Sequence, residues 1–162
     1  MAAAERPDGV LVRRAELSDA PVIAQLLRDF NLEFGDICPS ASFLSERFRQ
    51  LISHGETVVL LELEEETAAG LAVLRFRPAI WSEGFECYLA ELYVVPDRRG
   101  RGFGRALMQE AIIAARERNA DTMNIEVDEP DLAARRLYES LGFSNREDGG
   151  KGPLMFVYER DL

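Results

Sequence analysis

Between Leu89 and Leu107 the chain passes from an apolar run, through three alternating glycines, into a helical repeat. No other stretch restricts the fold so tightly. Leu89 to Val95 is apolar, β-branched and aromatic, with Glu91 set inside it, and this suits a buried strand. Pro96 cannot continue a central ladder, so the strand must stop there. Gly100, Gly102 and Gly104 then alternate with Arg101, Phe103 and Arg105. Without Cβ atoms, alternating glycines let several backbone N–H groups converge on one point. A helix start adds unpaired N–H groups and the positive end of a dipole. Arg98, Arg99, Arg101 and Arg105 crowd the same turn. Strand, turn, helix and cations together describe a phosphate site.

Two common phosphate loops are excluded by spacing. The nucleotide P-loop ends in Gly-Lys-Ser/Thr, which is absent here. The dinucleotide fingerprint needs a third glycine where Arg105 stands. What remains is Arg99-x-x-Gly102-x-Gly104 after a strand ending Val94-Val95-Pro96.

The rest of the chain reads as one α/β or α+β domain from residue 10 to 162, after a flexible tail over residues 1–9. Val10 to Arg14 predicts a strand. Ser18 or Asp19 caps a helix carrying Ile23, Leu26, Leu27 and Phe30 at helical spacing. A loop is expected from Asn31 to Ala41, and a second helix from Ser42 to Ser53. Thr57 to Leu63 and Leu71 to Arg77 predict a hairpin around Glu64 to Gly70. Pro78 to Phe85 reads as a loop carrying Trp81. A third helix follows the glycines, then a strand from Thr122 to Val127. Ala134, Leu137, Tyr138 and Leu141 mark a fourth helix, stopped by Gly142. Two last strands are expected, one from Phe143 and one from Leu154 to Glu159.

A second long block, Ile125 to Phe143, contains Ala134-x-x-Leu137-Tyr138-Glu139-x-x-Gly142-Phe143. With the glycine turn at this distance before it, the chain resembles the GCN5-related N-acetyltransferase (GNAT) family. The likeness runs from about Val10 to Tyr158 and is strongest between Glu91 and Phe143. It implies a central, mixed, mostly antiparallel sheet of six to seven strands flanked by about four helices. It also implies acyl transfer from acetyl-CoA, as co-substrate, to an amine. Cofactor contacts then fall on Tyr93, Val94 and Val95 for the pantetheine arm. Arg99, Gly100, Arg101, Gly102, Phe103, Gly104 and Arg105 take the pyrophosphate. Asp131 stands where the family commonly has Asn, and an ionised carboxylate accepts but does not donate. Asp131 can still cap the fourth helix.

The resemblance assigns Tyr138 as proton donor to the departing thiolate. A phenol near pKa ~10 and a thiol near ~8.5 are close enough for transfer. The competing reading packs Tyr138 beside Leu137 and Leu141. For a base that deprotonates the amine, Glu126 and Glu91 compete. Glu126 matches a glutamate of some N-terminal acetyltransferases, and Glu91 lies inside the apolar strand. The alternatives are a paired structural role for either carboxylate and a water relay with no dedicated base. A bulge in the central strand is expected to free an N–H near Val94 or Val95 for the oxyanion.

Charge narrows the partners. Nineteen basic against twenty-nine acidic residues leave a net charge of −10. That disfavours nucleic acid and mildly favours a cationic acceptor. Glu33, Asp36, Glu83 and Glu86, with Trp81, fall in or beside two expected cleft loops. Polyamines or aminoglycosides are therefore the expected acceptors, with a peptide N-terminus as runner-up. An inactive acetyl-CoA-binding domain is the other alternative. Cys38 and Cys87 are too few for a disulfide framework and, with no signal-like or membrane-length apolar run, suggest the cytoplasm. No metal cluster is expected. The family's habit of pairing C-terminal strands allows a homodimer.

Overall fold

The computed structural model describes Pro7 and residues 9–162. The expected tail at residues 1–9 lies largely outside the described residues. The chain divides into two compact units, Met1–Ile125 and Glu126–Leu162.

The first unit is built on a five-stranded sheet in sequential order. Its strands are β1 (Val10–Arg14), β2 (Thr57–Glu64), β3 (Thr67–Pro78), β4 (Phe85–Val94) and β5 (Ala120–Ile125). Neighbours pair antiparallel from β1 to β4, and β5 pairs parallel to β4. Helices α1 (Ala20–Phe34) and α2 (Ala41–Ser53) join β1 to β2, and α3 (Phe103–Glu117) joins β4 to β5. Side chains alternate across a strand, so each strand feeds two cores. Val59, Leu61, Leu71, Val73 and Tyr93 meet Ile23, Leu26, Leu27 and Phe48 of α1 and α2. On the opposite face, α3 lies over Gly70: a Cβ there would stand 3.1 Å from Leu107 Cδ1 and 2.7 Å from the Tyr93 carbonyl oxygen. Only glycine allows that approach.

Local boundaries follow backbone chemistry. Asp19 occupies the N-cap of α1, with Pro in its first turn, where a missing N–H costs nothing. Its carboxylate accepts from the Glu16 N–H at 2.7 Å and from Arg13, and makes no side-chain cap bond to α1. Gly35, at φ 76°, ends α1. The helix thus takes up residues expected in the loop, Glu33 among them. The β2–β3 hairpin turns on Glu65 and Glu66, at φ 48° and 68°. Two left-handed residues match the strand twist better than a long loop would.

In the second unit, α4 (Leu132–Ser140) starts at Asp131, whose side chain accepts from the Ala134 N–H at 3.0 Å. Gly142, at φ 91°, follows its end. The two expected C-terminal strands do not form. The Phe143 N–H turns back to the Tyr138 carbonyl at 3.1 Å. Further on, one bridge, Arg146 to Leu154, and one bond from the Met155 N–H to the Asn145 carbonyl close a broken turn at Glu147–Gly150. An apolar run becomes a strand only with a ladder beside it, and a lone hairpin is marginal. The sheet therefore has five strands rather than six or seven, within the same mixed, mostly antiparallel architecture.

Candidate active site

The site begins where β4 parts from β5. Their pairing runs from Phe85 to Leu89 and ends at Leu89↔Ile125. On the other edge β3 stays paired up to Gly70↔Val94, with one interruption. Glu91 lies opposite Val73 and Leu89 opposite Leu74, so Ala90 is an extra, bulged residue. The bulge expected in this strand sits at Ala90. Bulges bend a strand and increase its twist, which accounts for the parting from β5. The Val95 N–H is spent on the Ala69 carbonyl at 2.9 Å, so Val95 cannot supply the oxyanion donor. Ladder alternation turns Val94 and Leu92 the other way, toward the uncovered edge.

Beyond Val95, Pro96–Arg98 forms one tight helical turn and leads into the glycines. Gly100 and Gly102 take φ 73° and 91°, a region that residues with a Cβ enter at a cost. A Cβ on Gly100 would meet only open space, so that glycine answers to conformation, not crowding. Gly102 is the N-cap of α3 and has no side-chain cap bond. The Ala106 N–H donates to the Gly102 carbonyl at 3.0 Å, the first bond of the helix. The N–H groups of Phe103 and Gly104 precede that first helical bond and have no carbonyl one turn earlier in the helix. This donor set fits an anionic oxygen cluster such as a pyrophosphate.

Arg98, Arg99 and Arg101 of the turn are engaged with acids. Arg98 bonds Glu64 and Asp97. Arg101 reaches Glu64 at 3.1 Å and lies over the Phe103 ring. Arg99 holds both oxygens of Glu33, at 2.5 and 2.7 Å, and donates Nε to the Val94 carbonyl at 2.8 Å. The guanidinium holds the Glu33 carboxyl below the usual range. Nothing local in the sequence marks this pair, since the residues lie far apart in the chain. Glu86, expected at a loop edge, belongs to β4 and pairs with Arg77.

Glu91 and Glu126 part company. Glu91 shares the α1–α2 face of β4 with Tyr93, is half-buried, and has its pKa raised by burial. Glu126 is exposed and lies just past β5, which ends at Ile125 and not, as expected, at Val127. The strand ends where β4 turns away and offers no further ladder partner. Tyr93 is buried, with its phenol pushed up by burial first and then by Glu33.

In the second unit, Tyr138 is the one buried residue of α4. Its ring meets Phe143 edge-on at 6.2 Å. Burial, then the Asp131 charge, pushes its phenol up to about 12. His54 caps the end of α2 through its backbone. Cys87 is buried, its thiol pushed up to about 11 by burial. Among the described residues no His, Cys, Asp and Glu cluster could hold a metal, and no helix is long and apolar enough to cross a membrane.

A strand that splits from its neighbour and runs into a glycine turn at a helix N-terminus is the arrangement that the likeness to the acetyltransferases implies. The model of the acetyltransferase (GNAT) family matches residues 22–143. The chain belongs to that family, and it is an acetyltransferase. A crystal structure from Arthrobacter sp. FB24, described as a candidate acetyltransferase, is 41% identical and superposes with a TM-score of 0.84 over 100% of this chain and 99% of that one. The N-acetyltransferase YjgM of Escherichia coli K12, itself uncharacterized, is 28% identical over 86% of this chain and 84% of its own length. The mycothiol acetyltransferase of Thermobispora bispora is 46% identical over 66 residues, 39% of this chain. This chain spans only 22% of that relative's length.

Proposed function

We propose that residues 10–162 act as one catalytic domain that transfers the acetyl group of acetyl-CoA to the primary amine of a small cationic acceptor. The observation that carries this reading is the parting of β4 from β5 after Leu89, directly before the glycine turn. An uncovered strand edge followed by clustered helix N–H groups suits a long amide-bearing arm that ends in pyrophosphate. When bound, acetyl-CoA supplies the activated acyl group. The N–H groups at the start of α3, with Arg101 and Arg105, would hold the pyrophosphate. Tyr93, Val94 and the uncovered edge would orient the arm, and the N–H of Leu92 or Val94, on that edge, would donate to the acyl oxygen. The Asp131 carboxylate is spent on capping α4, so the cofactor contact usual at that position is not drawn on.

Glu91 is the better base of the two carboxylates. Burial raises its pKa toward the working range of a general base, while Glu126 stands in open solvent. Tyr138 stays protonated across the physiological range. At about 12, against a thiolate that ordinarily titrates near ~8.5, it acts by hydrogen-bonding the leaving sulfur more than by complete transfer. Acceptor charge follows from the acids. Asp36, Glu83 and Glu91 remain unmatched by any arginine contact described above, so polyamine- or aminoglycoside-like amines are favoured at low salt. The cytoplasm is the setting that two free thiols suit best.

Calorimetry with acetyl-CoA tests the site. Wild-type protein should bind, and Gly102→Glu should show no binding heat, since it places an anion and a strained backbone at the turn. Equal affinity in both proteins overturns the assignment. Turnover of spermidine against glutamate at low ionic strength tests the acceptor: equal rates overturn the electrostatic reading.

A further inference from the structure

Arg99 is the arginine of the turn's signature, and its side chain points away from a simple phosphate-binding role. Three of its five N–H donors are spent within the protein, two on Glu33 and one on the Val94 carbonyl. Its guanidinium also lies 5.6 Å over the Tyr93 ring. Glu33 sits in the last turn of α1, one residue before Phe34. Phe34 packs edge-on against Phe30 at 5.3 Å, and Phe30 packs on Tyr93 at 5.2 Å. Two independent links, one ionic and one aromatic, therefore tie the end of α1 to the exit of β4. The ion pair is largely solvent-facing, with side-chain exposures of 42% and 30%. Exposed pairs contribute little stability. A planar fork held by a carboxylate and a carbonyl together fixes orientation instead.

We propose that the Glu33–Arg99 clasp couples the acetyl-CoA edge of β4 to the end of α1, so that Arg99 is a positioning residue acting through Val94 and Glu33. This deepens the function proposed above and rests on it. An arm seated along Tyr93–Val94 constrains the Val94 carbonyl. Arg99 passes that constraint to Glu33, and the end of α1 with Gly35 and Asp36, the first part of the segment expected as an acceptor loop, tightens before the amine arrives. Coupling of this kind must be reciprocal between the two sites.

Amide hydrogen exchange with and without acetyl-CoA, alongside calorimetry, decides it. The proteins are wild type, Glu33→Gln, Arg99→Lys, Arg99→Gln and the double Glu33→Gln/Arg99→Gln. In wild type, acetyl-CoA should slow exchange over residues 31–36 by about fivefold, the low end of typical coupling. Each single variant, including the charge-conserving Arg99→Lys, should lose that slowing while acetyl-CoA affinity stays within about threefold, and the double variant should be no worse than either single. If Glu33→Gln keeps the slowing, the clasp transmits nothing and the inference fails. If Arg99→Gln loses about tenfold or more in affinity while Glu33→Gln does not, Arg99 is a phosphate ligand and the inference fails equally. A wild type that binds no acetyl-CoA overturns the proposed function itself, a different result from either.

Discussion

Two wholly apolar four-residue runs in this chain have opposite fates. Leu71-Ala72-Val73-Leu74 in β3 is buried, none of its residues more than 3% exposed. Leu154-Met155-Phe156-Val157 in the second unit ranges from 44% to 71% exposed. The first run has ladder partners on both edges, β2 and β4, and helices over both faces. The second has one isolated bridge. Hydrophobicity makes burial favourable in proportion to area, but it does not supply the surface to be buried against. Packing, not composition, separates a core from an apolar tail.

The sharpest test of that contrast is truncation in each run. Leu74→Ala should cost about 2–5 kcal/mol by urea unfolding, the range for a buried leucine whose site cannot collapse. A cost near zero would mean that β3 is not the core. The second unit's packed point is Tyr138, and Tyr138→Phe removes a donor with little volume. Its kcat should fall on the order of 10²-fold, as for loss of one hydrogen-bond donor to developing negative charge, with acetyl-CoA affinity nearly unchanged. Undiminished turnover in a folded variant would make Tyr138 a packing residue, like those of β3.

Gly70→Ala probes the close approach of β3, β4 and α3. A Cβ 2.7 Å from the Tyr93 carbonyl oxygen forces backbone movement and should cost about 1–3 kcal/mol, read from the denaturation midpoint. Glu91→Gln gives a smaller effect with a defined pH course. Burial raises the folded pKa of Glu91 above its unfolded value, so the charged carboxylate destabilises the fold at neutral pH. That cost is full above the folded pKa and vanishes below the unfolded value of about 4.3. The variant should therefore melt higher than wild type at pH 7 and equally near pH 4, while losing turnover if Glu91 is the base. Smallest of all, Phe156→Ala should shift stability by no more than about 0.5 kcal/mol, as an exposed substitution does. A loss comparable to that of Leu74→Ala would show that the C-terminal run is covered in solution.

Much of the fold was legible because its signals are local. Pro96 ends β4 within a residue, Gly102 takes the left-handed φ at the start of α3, and Asp131 caps α4 through its own third-residue neighbour. The C-terminal strands were misread for the same reason. Leu154 to Tyr158 is a continuous apolar run of the kind that fills strands, but a strand is completed by its partner, and pattern does not show whether one stands beside it. Glu33 was misplaced by one helical turn, because helix α1 ends at Gly35 and not at Asn31.

The sequence by itself determined the order of elements as far as α4, the glycine turn and the family, since glycine, proline and helical period act on the backbone where they stand. Tertiary structure alone decided three features: the bulge at Ala90, the contact over Gly70, and the joining of Glu33 to Arg99. Each depends on segments far apart in the chain being brought together, and no residue's own conformational preference carries information about a partner that distant. That is also why Arg99, so plain a phosphate ligand in the linear signature, is found in the folded chain holding a carboxylate and a strand carbonyl.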